Sequence, residues 1–217
     1  MSPSEQPDRR YQIHHYPATL IETRARNRAW PLTLRPILPQ DADLLARLVD
    51  ELAPVTRRNR FHGAIGLSPD QLRHMSALDY RNHLALVVTA EVDGAEQLIA
   101  DARYVVDPSG RGAEFALVVA DGWQRQGVGA WAMQSLQRAA TNAGLQWLHG
   151  EVLHGNLPML GLMQRCGFAL SPHAEDDQLI NAQQRLGAHT VPPFTVKQSF
   201  RSWLRHAWPA SVQAAAR

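Results

Sequence analysis

Between Glu114 and Ala143 an apolar strand runs into a glycine-bearing turn, and the turn into a long helix. Val128, Trp131, Ala132, Leu136, Ala139 and Ala143 share one side of a 3.6-residue period, and Gly144 is a natural stop. A strand that feeds such a helix through a short turn lays the helix back on its own sheet. The chain is therefore expected to be an α/β or α+β sandwich. The flanking pattern agrees. Apolar or alternating runs at 85–92, 98–106 and 113–119 are separated by Asp93-Gly94 and Asp107-Pro108-Ser109-Gly110, which predicts an antiparallel meander. A fourth run at 145–153 precedes Asn156, a capping residue for a short helix over 157–166, and Gly167-Phe168 leaves it.

Upstream, Leu44, Leu45, Leu48, Val49 and Leu52 fall at helical spacing until Pro54. A second helix is predicted from Ser68, where Ser68 and Gln71 form a capping box and Pro69 takes the first helical position. Arg57, Arg58 and Arg60 lie between the two, on what reads as a basic loop. Earlier still, Leu20, Leu32 and Leu34 flank the basic stretch Arg24-Ala25-Arg26-Asn27-Arg28, a pattern that suits a hairpin.

Composition removes several classes. With 217 residues, 45% hydrophobic and 19% charged, the chain can bury a core, and collagen-like, coiled-coil or wholly disordered structure is not expected. Its single cysteine, Cys166, excludes an internal disulfide. A formal charge of +2 is too small a surplus to argue for nucleic acid. The first ten residues are polar, and no apolar run reaches membrane-spanning length, so a soluble cytoplasmic protein is expected. The close histidine groupings, His14-His15 and His149 with His154, lack a His-Glu-x-x-His pattern, and no metal is expected.

The turn itself is suited to an anion. Helix starts leave amide N–H groups unpaired and carry partial positive charge, and glycines let a phosphate approach them. A Walker loop would end in Gly-Lys-Ser or Gly-Lys-Thr, and a dinucleotide fingerprint would want a third glycine where Ala132 stands. As a bare pattern, Gln-x-x-Gly-x-Gly fits an anion turn and a merely tight helix-on-strand turn equally.

Its context is more specific. Gln124-x-x-Gly127-x-Gly129 after an apolar strand, followed by Asn156 and Cys166-Gly167-Phe168, resembles the GNAT superfamily of N-acetyltransferases across residues 34–168. Leu34-Arg-Pro-Ile-Leu-Pro-Gln-Asp41, Arg57-Arg-Asn-Arg-Phe61, Ala113-Glu-Phe-Ala116 and Gly150-Glu-Val-Leu153, with Asn156 and Met159, look like the catalytic domain of bacterial protein lysine acetyltransferases of the Pat type. Tyr16-Pro17 is similar to their lead-in. The resemblance implies a central mixed, mostly antiparallel sheet flanked by helices, with acetyl-CoA as co-substrate. It assigns the pyrophosphate to Gln124, Arg125, Gln126, Gly127, Val128, Gly129 and Ala130, the pantetheine arm to Leu117, Val118 and Val119, and a further cofactor contact to Asn156. Glu114 becomes the general base that prepares an amine for direct attack.

Each assignment has a competitor. Asn156 is equally a helix cap, and most strand glutamates face solvent or pair with an arginine. The arginine run reads either as a magnet for acidic substrate or nucleotide phosphate, or as a solvated loop. Tyr104 and Phe115 are expected to give Glu114 apolar surroundings. Several superfamily members carry a tyrosine acid where Met163 stands, so no dedicated acid for the departing thiolate is expected. Cys166 reads as a core residue.

The acceptor is expected to be a protein lysine. The alternatives are a small amine and a catalytically silent coenzyme-A sensor. Some Pat-type proteins carry a synthetase-like or cyclic-nucleotide-binding domain; 217 residues have no room for one, so regulation of that kind is not expected. Residues 1–30 are read as an N-terminal extension with a hairpin strand, 31–175 as the acetyltransferase domain and 176–217 as a C-terminal extension. Phe200, Trp203, Leu204 and Trp208 would share one face of a helix there, packed on the domain, in a homodimer or partner contact, or on a membrane surface.

Overall fold

The computed structural model describes residues 16–26, 29–61 and 67–187. Its strands are β1 (Glu22–Arg26), β2 (Ala29–Pro36), β3 (His83–Val92), β4 (Ala95–Val106), β5 (Gly112–Val119), β6 (Trp147–Leu153), β7 (Ala169–Pro172) and β8 (Leu179–Arg185). Its helices are α1 (Ala42–Glu51), α2 (Pro54–Phe61), α3 (Pro69–Ser76), α4 (Val128–Asn142) and α5 (Leu157–Arg165). The strands form one sheet in the order β1-β2-β3-β4-β5-β6-β8-β7. Every neighbouring pair is antiparallel except β5 and β6, which α4 connects. No described helix is long and apolar enough to cross a membrane.

Local chemistry sets most element ends. Asp93 and Gly94 close the β3–β4 hairpin with φ of 51° and 77°, the left-handed pair that a two-residue turn of this twist requires. At the start of α3 the Ser68 hydroxyl accepts from Gln71 N at 3.2 Å, and the Gln71 side chain accepts from Ser68 N at 2.7 Å. Asp41 is buried before α1, where it accepts from Leu38 N at 2.7 Å and takes both arms of Arg35 at 2.6 and 2.9 Å.

The sheet is covered on both faces. On one, Ile37, Leu45, Leu48, Phe61, Met75, Val87 and Val118 form the core beneath α1, α2 and α3. On the other, Leu86, Tyr104, Phe115 and Leu117 pack with Trp131 and Leu136 of α4, Met163 of α5 and Phe168 just beyond it. β3, buried over its first eight residues, lies between the two layers. Glu22 ties β1 to α4, accepting from Trp131 Nε1 at 2.8 Å and Ser135 Oγ at 3.0 Å and pairing with Arg138 at 2.6 Å.

Two readings need correction. Pro54 does not simply stop a helix: it takes the first turn of α2, so Arg57, Arg58 and Arg60 are helical rather than on a loop. The sheet also continues past residue 175, because β8 inserts between β6 and β7. The aromatic helix expected over 197–208 falls outside the described residues.

Candidate active site

The parallel pairing of β5 with β6 is short. It joins Gly112, Ala113 and Glu114 to Trp147, Leu148 and His149, and then stops although both strands continue. Ala120 N donates to Ile99 O and Asp107 N to Gly112 O, so the even-numbered residues of β5 turn their backbone groups toward β4. Gln146 N donates to Arg111 O on the other side, so odd-numbered residues face β6. Strand alternation therefore directs the backbone N–H and C=O of Leu117 and Val119 into the gap where β6 has diverged. Those of Val118 are committed to β4.

Gly150 closes the vertex of this gap. A Cβ there would sit 2.9 Å from the Phe115 ring and 3.1 Å from the Phe115 carbonyl oxygen. Phe115 also packs on Phe168, with ring centroids 4.9 Å apart. At the open end lies the turn. Gln124 is extended, Arg125 is left-handed at φ 58° although it bears a side chain, and Gly127 is left-handed at φ 84°. Such alternation points successive N–H groups into one concavity. Gly127 is the N-cap of α4 with no side-chain cap, the first helical turn carries no acidic residue, and open space lies where a Cβ of Gly127 would be. The amides of Val128, Gly129 and Ala130 thus begin a helix that no side chain caps among the described residues. Gly129 does a different job: a Cβ there would meet Leu162 at 3.2 Å and Val119 at 3.4 Å, so its smallness seats α4 against β5 and α5.

The polar side chains of the turn brace it. Gln124 Nε2 donates to Val119 O at 3.1 Å and Asp121 Oδ1 at 3.3 Å, and Gln126 Nε2 donates to Gly122 O at 2.7 Å. Asp121 also holds the start of α2, accepting from Ala53 N at 2.8 Å and Thr56 Oγ1 at 2.6 Å. Asn156 Oδ1 accepts from Met159 N at 3.3 Å, capping α5.

Glu114 stands at the vertex, 8% exposed, on the face covered by α1–α3. Tyr104 and Phe115 do not surround it. They pair with one another across β4 and β5, one residue out of phase with Glu114, and so lie on the α4 face. The environment of Glu114 is charged instead. Arg60 is buried on α2 and electrostatically attracted to Glu114 and Asp101, while Arg103 grips Asp101. His149, beside Glu114 in register, has its Nε2 3.9 Å from Asp107 Oδ2, and burial pulls it down to about 4 against the attraction of Asp107. On the opposite face Met163 is fully buried, and burial pushes the Cys166 thiol up, which suits a core residue. Among the described residues no group of three His, Cys, Asp or Glu could hold a metal ion.

Sequence reasoning placed the turn and the strand that carries Glu114. It missed the burial of Arg60, the Asp121 clip and the role of Gly150. Pro54, read as a helix start, would have found α2; nothing in the sequence pairs Asp121 with a helix 65 residues earlier.

Residues 50–168 match the acetyltransferase (GNAT) family. Over 150 residues the chain is 31% identical to the acetyltransferase Pat of Mycolicibacterium smegmatis, taking in 69% of this chain and 44% of that protein, so it spans less than half of that curated relative. The crystal structure of the GNAT domain of S. lividans PAT superposes with a TM-score of 0.71 at 22% identity, over 79% of this chain and 100% of that one. RimL, a ribosomal L7/L12 alpha-N-protein acetyltransferase solved in complex with coenzyme A, matches with a TM-score of 0.59 at 14% identity, over 76% of this chain and 98% of that one.

Proposed function

Since the chain belongs to the acetyltransferase (GNAT) family, we propose that it moves an acetyl group from acetyl-CoA to an amine, a lysine side chain of a protein, with Glu114 as general base. One observation carries this reading: the gap between β5 and β6 opens directly after Glu114 and runs to the uncapped start of α4. The likeness to Pat supports a protein acceptor.

The residues present fit coenzyme A. A diphosphate would be met by the amides of Val128, Gly129 and Ala130 and by the concavity from Gln124 to Gly127, with Gln124 and Gln126 acting as braces. Arg125 is exposed and adds positive charge at the rim. The pantetheine arm would lie in the gap and pair, strand-fashion, with Leu117 and Val119. Val118 would contribute only by packing beneath α1. Asn156, its Oδ1 engaged in the cap, would reach the cofactor through its Nδ2.

The thioester carbonyl then lies near the vertex. A lysine amine has a reference pKa of about 10.4 and arrives protonated at neutral pH. The Glu114 carboxylate takes one proton, directly or through water, and the freed lone pair attacks the carbonyl carbon. A gap-facing amide steadies the developing oxyanion. When the C–S bond breaks, the nitrogen sheds its second proton, which passes through water to the departing thiolate, a group with a reference pKa of about 8.5, since Met163 has none to give.

Thiol release and calorimetry test the assignment together. Glu114→Gln is expected to lower kcat about 10²-fold or more while acetyl-CoA binding is kept. Gly127→Asp, which adds negative charge and a side chain at φ 84°, is expected to abolish that binding. Undiminished turnover by Glu114→Gln would remove the base. Turnover of small amines but of no lysine peptide would remove the protein acceptor, and cofactor binding without turnover of either would leave a sensor.

A further inference from the structure

Four charged side chains are buried together on the sheet face that holds Glu114. Arg103 is 0% exposed, donates to both oxygens of Asp101 at 2.6 to 3.1 Å, and reaches the Met75 carbonyl at 3.2 Å. Arg60, 6% exposed, lies at the end of α2, the helix that packs on β5, with its guanidinium 4.8 Å from the Phe61 ring centroid. Its field comes from Asp101 and Glu114, which attract it, and Arg103, which repels it. With Asp101 already gripped by Arg103, the cluster of Arg60, Arg103, Asp101 and Glu114 is neutral only when Glu114 is ionised.

The other groups near this cluster do not alter the balance. His83 on β3 and His149 on β6 are pulled by burial to about 3 and about 4 and are neutral at neutral pH. Asp79 attracts His83 and Asp107 attracts His149. A buried guanidinium is costly, and an apolar residue of similar volume often serves a fold as well. A cation here therefore points to a task beyond packing.

We propose that Arg60 is a positioning residue for the reaction: its buried guanidinium aims the Glu114 carboxylate at the vertex of the β5–β6 gap and keeps it ionised. The assignment rests on Glu114 being the base. The Asp121 clip adds a mechanical link, since the turn that would hold the diphosphate also fixes the start of the helix carrying Arg60.

The test is the pH profile of kcat/KM, with acetyl-CoA as donor and a short end-blocked lysine peptide as acceptor, for wild type, Arg60→Lys and Arg60→Met. Without the cation the carboxylate gains its proton more readily. The acid limb is expected to move up by at least one pH unit in Arg60→Met, with Arg60→Lys in between and acetyl-CoA affinity within twofold of wild type. An unmoved limb with a lowered plateau would make Arg60 structural and overturn the proposal. Should Arg60→Met not fold, Arg60→Lys carries the same profile, and a limb that coincides with wild type overturns the idea equally. Urea unfolding of Arg60→Met, Glu114→Gln and the double variant separates the two assignments. Additive losses would show that the pair does not interact. Coupled losses alongside an active Glu114→Gln would retain the contact and overturn its part in catalysis.

Discussion

His83 and His149 make pH a variable of stability. Burial holds them to about 3 and about 4 in the folded chain, against about 6.5 when unfolded. Between those values the unfolded chain binds more protons, so stability is complete above about pH 6.5 and is lost as the pH falls toward 4. Each histidine contributes up to roughly 1.4 kcal/mol per pH unit in that window. Urea midpoints at pH 7.5 and pH 5 are expected to show the fall, and His149→Gln to flatten it; an unchanged slope in that variant would clear His149. At this scale the sequence was informative about residue type and poor about surroundings. Glu114 was singled out by the resemblance to Pat-type acetyltransferases and its place before the turn, although most strand glutamates face solvent or pair with an arginine. Its neighbours were not, because Tyr104 and Phe115 are near in number yet on the other face, whereas Arg60 is remote in number yet buried within reach of its charge.

Gly150 shows what the elements add. Alanine there would push a carbon to within 3.1 Å of a backbone carbonyl, which cannot swing aside as a side chain can. Gly150→Ala is expected to cost about 1–3 kcal/mol in urea unfolding and to raise the KM for acetyl-CoA by spreading the vertex. Full stability with an unchanged KM would mean that the strands adjust freely. Elements governed by local rules were readable: the Asp93-Gly94 hairpin, the Ser68 capping box and the α4 stripe depend on residues within a few positions of one another. α2 had a local signal in Pro54 at its first turn, but what holds that turn is Asp121 from beyond β5. β7 and β8 gave no apolar run, being short or only half buried.

For the molecule as a whole the decisive contact is β8 between β6 and β7. It pairs with β6 along all seven residues from Trp147 to Leu153. A chain cut after residue 175 would leave β6, one wall of the gap, without that partner and is expected to lose cooperative urea unfolding and acetyl-CoA binding together. A sharp transition in the shortened chain would count against this. The amino-acid order by itself determined the layered fold, the strand-turn-helix unit and the glutamate beside it, because period, capping and glycine placement act over a few residues. Only the tertiary structure decided that β6 leaves β5 after three pairs, that Val118 turns away from the gap and that Arg60 is buried near Glu114. Those features come from strands and helices far apart in the chain competing for the same edge, face and charge.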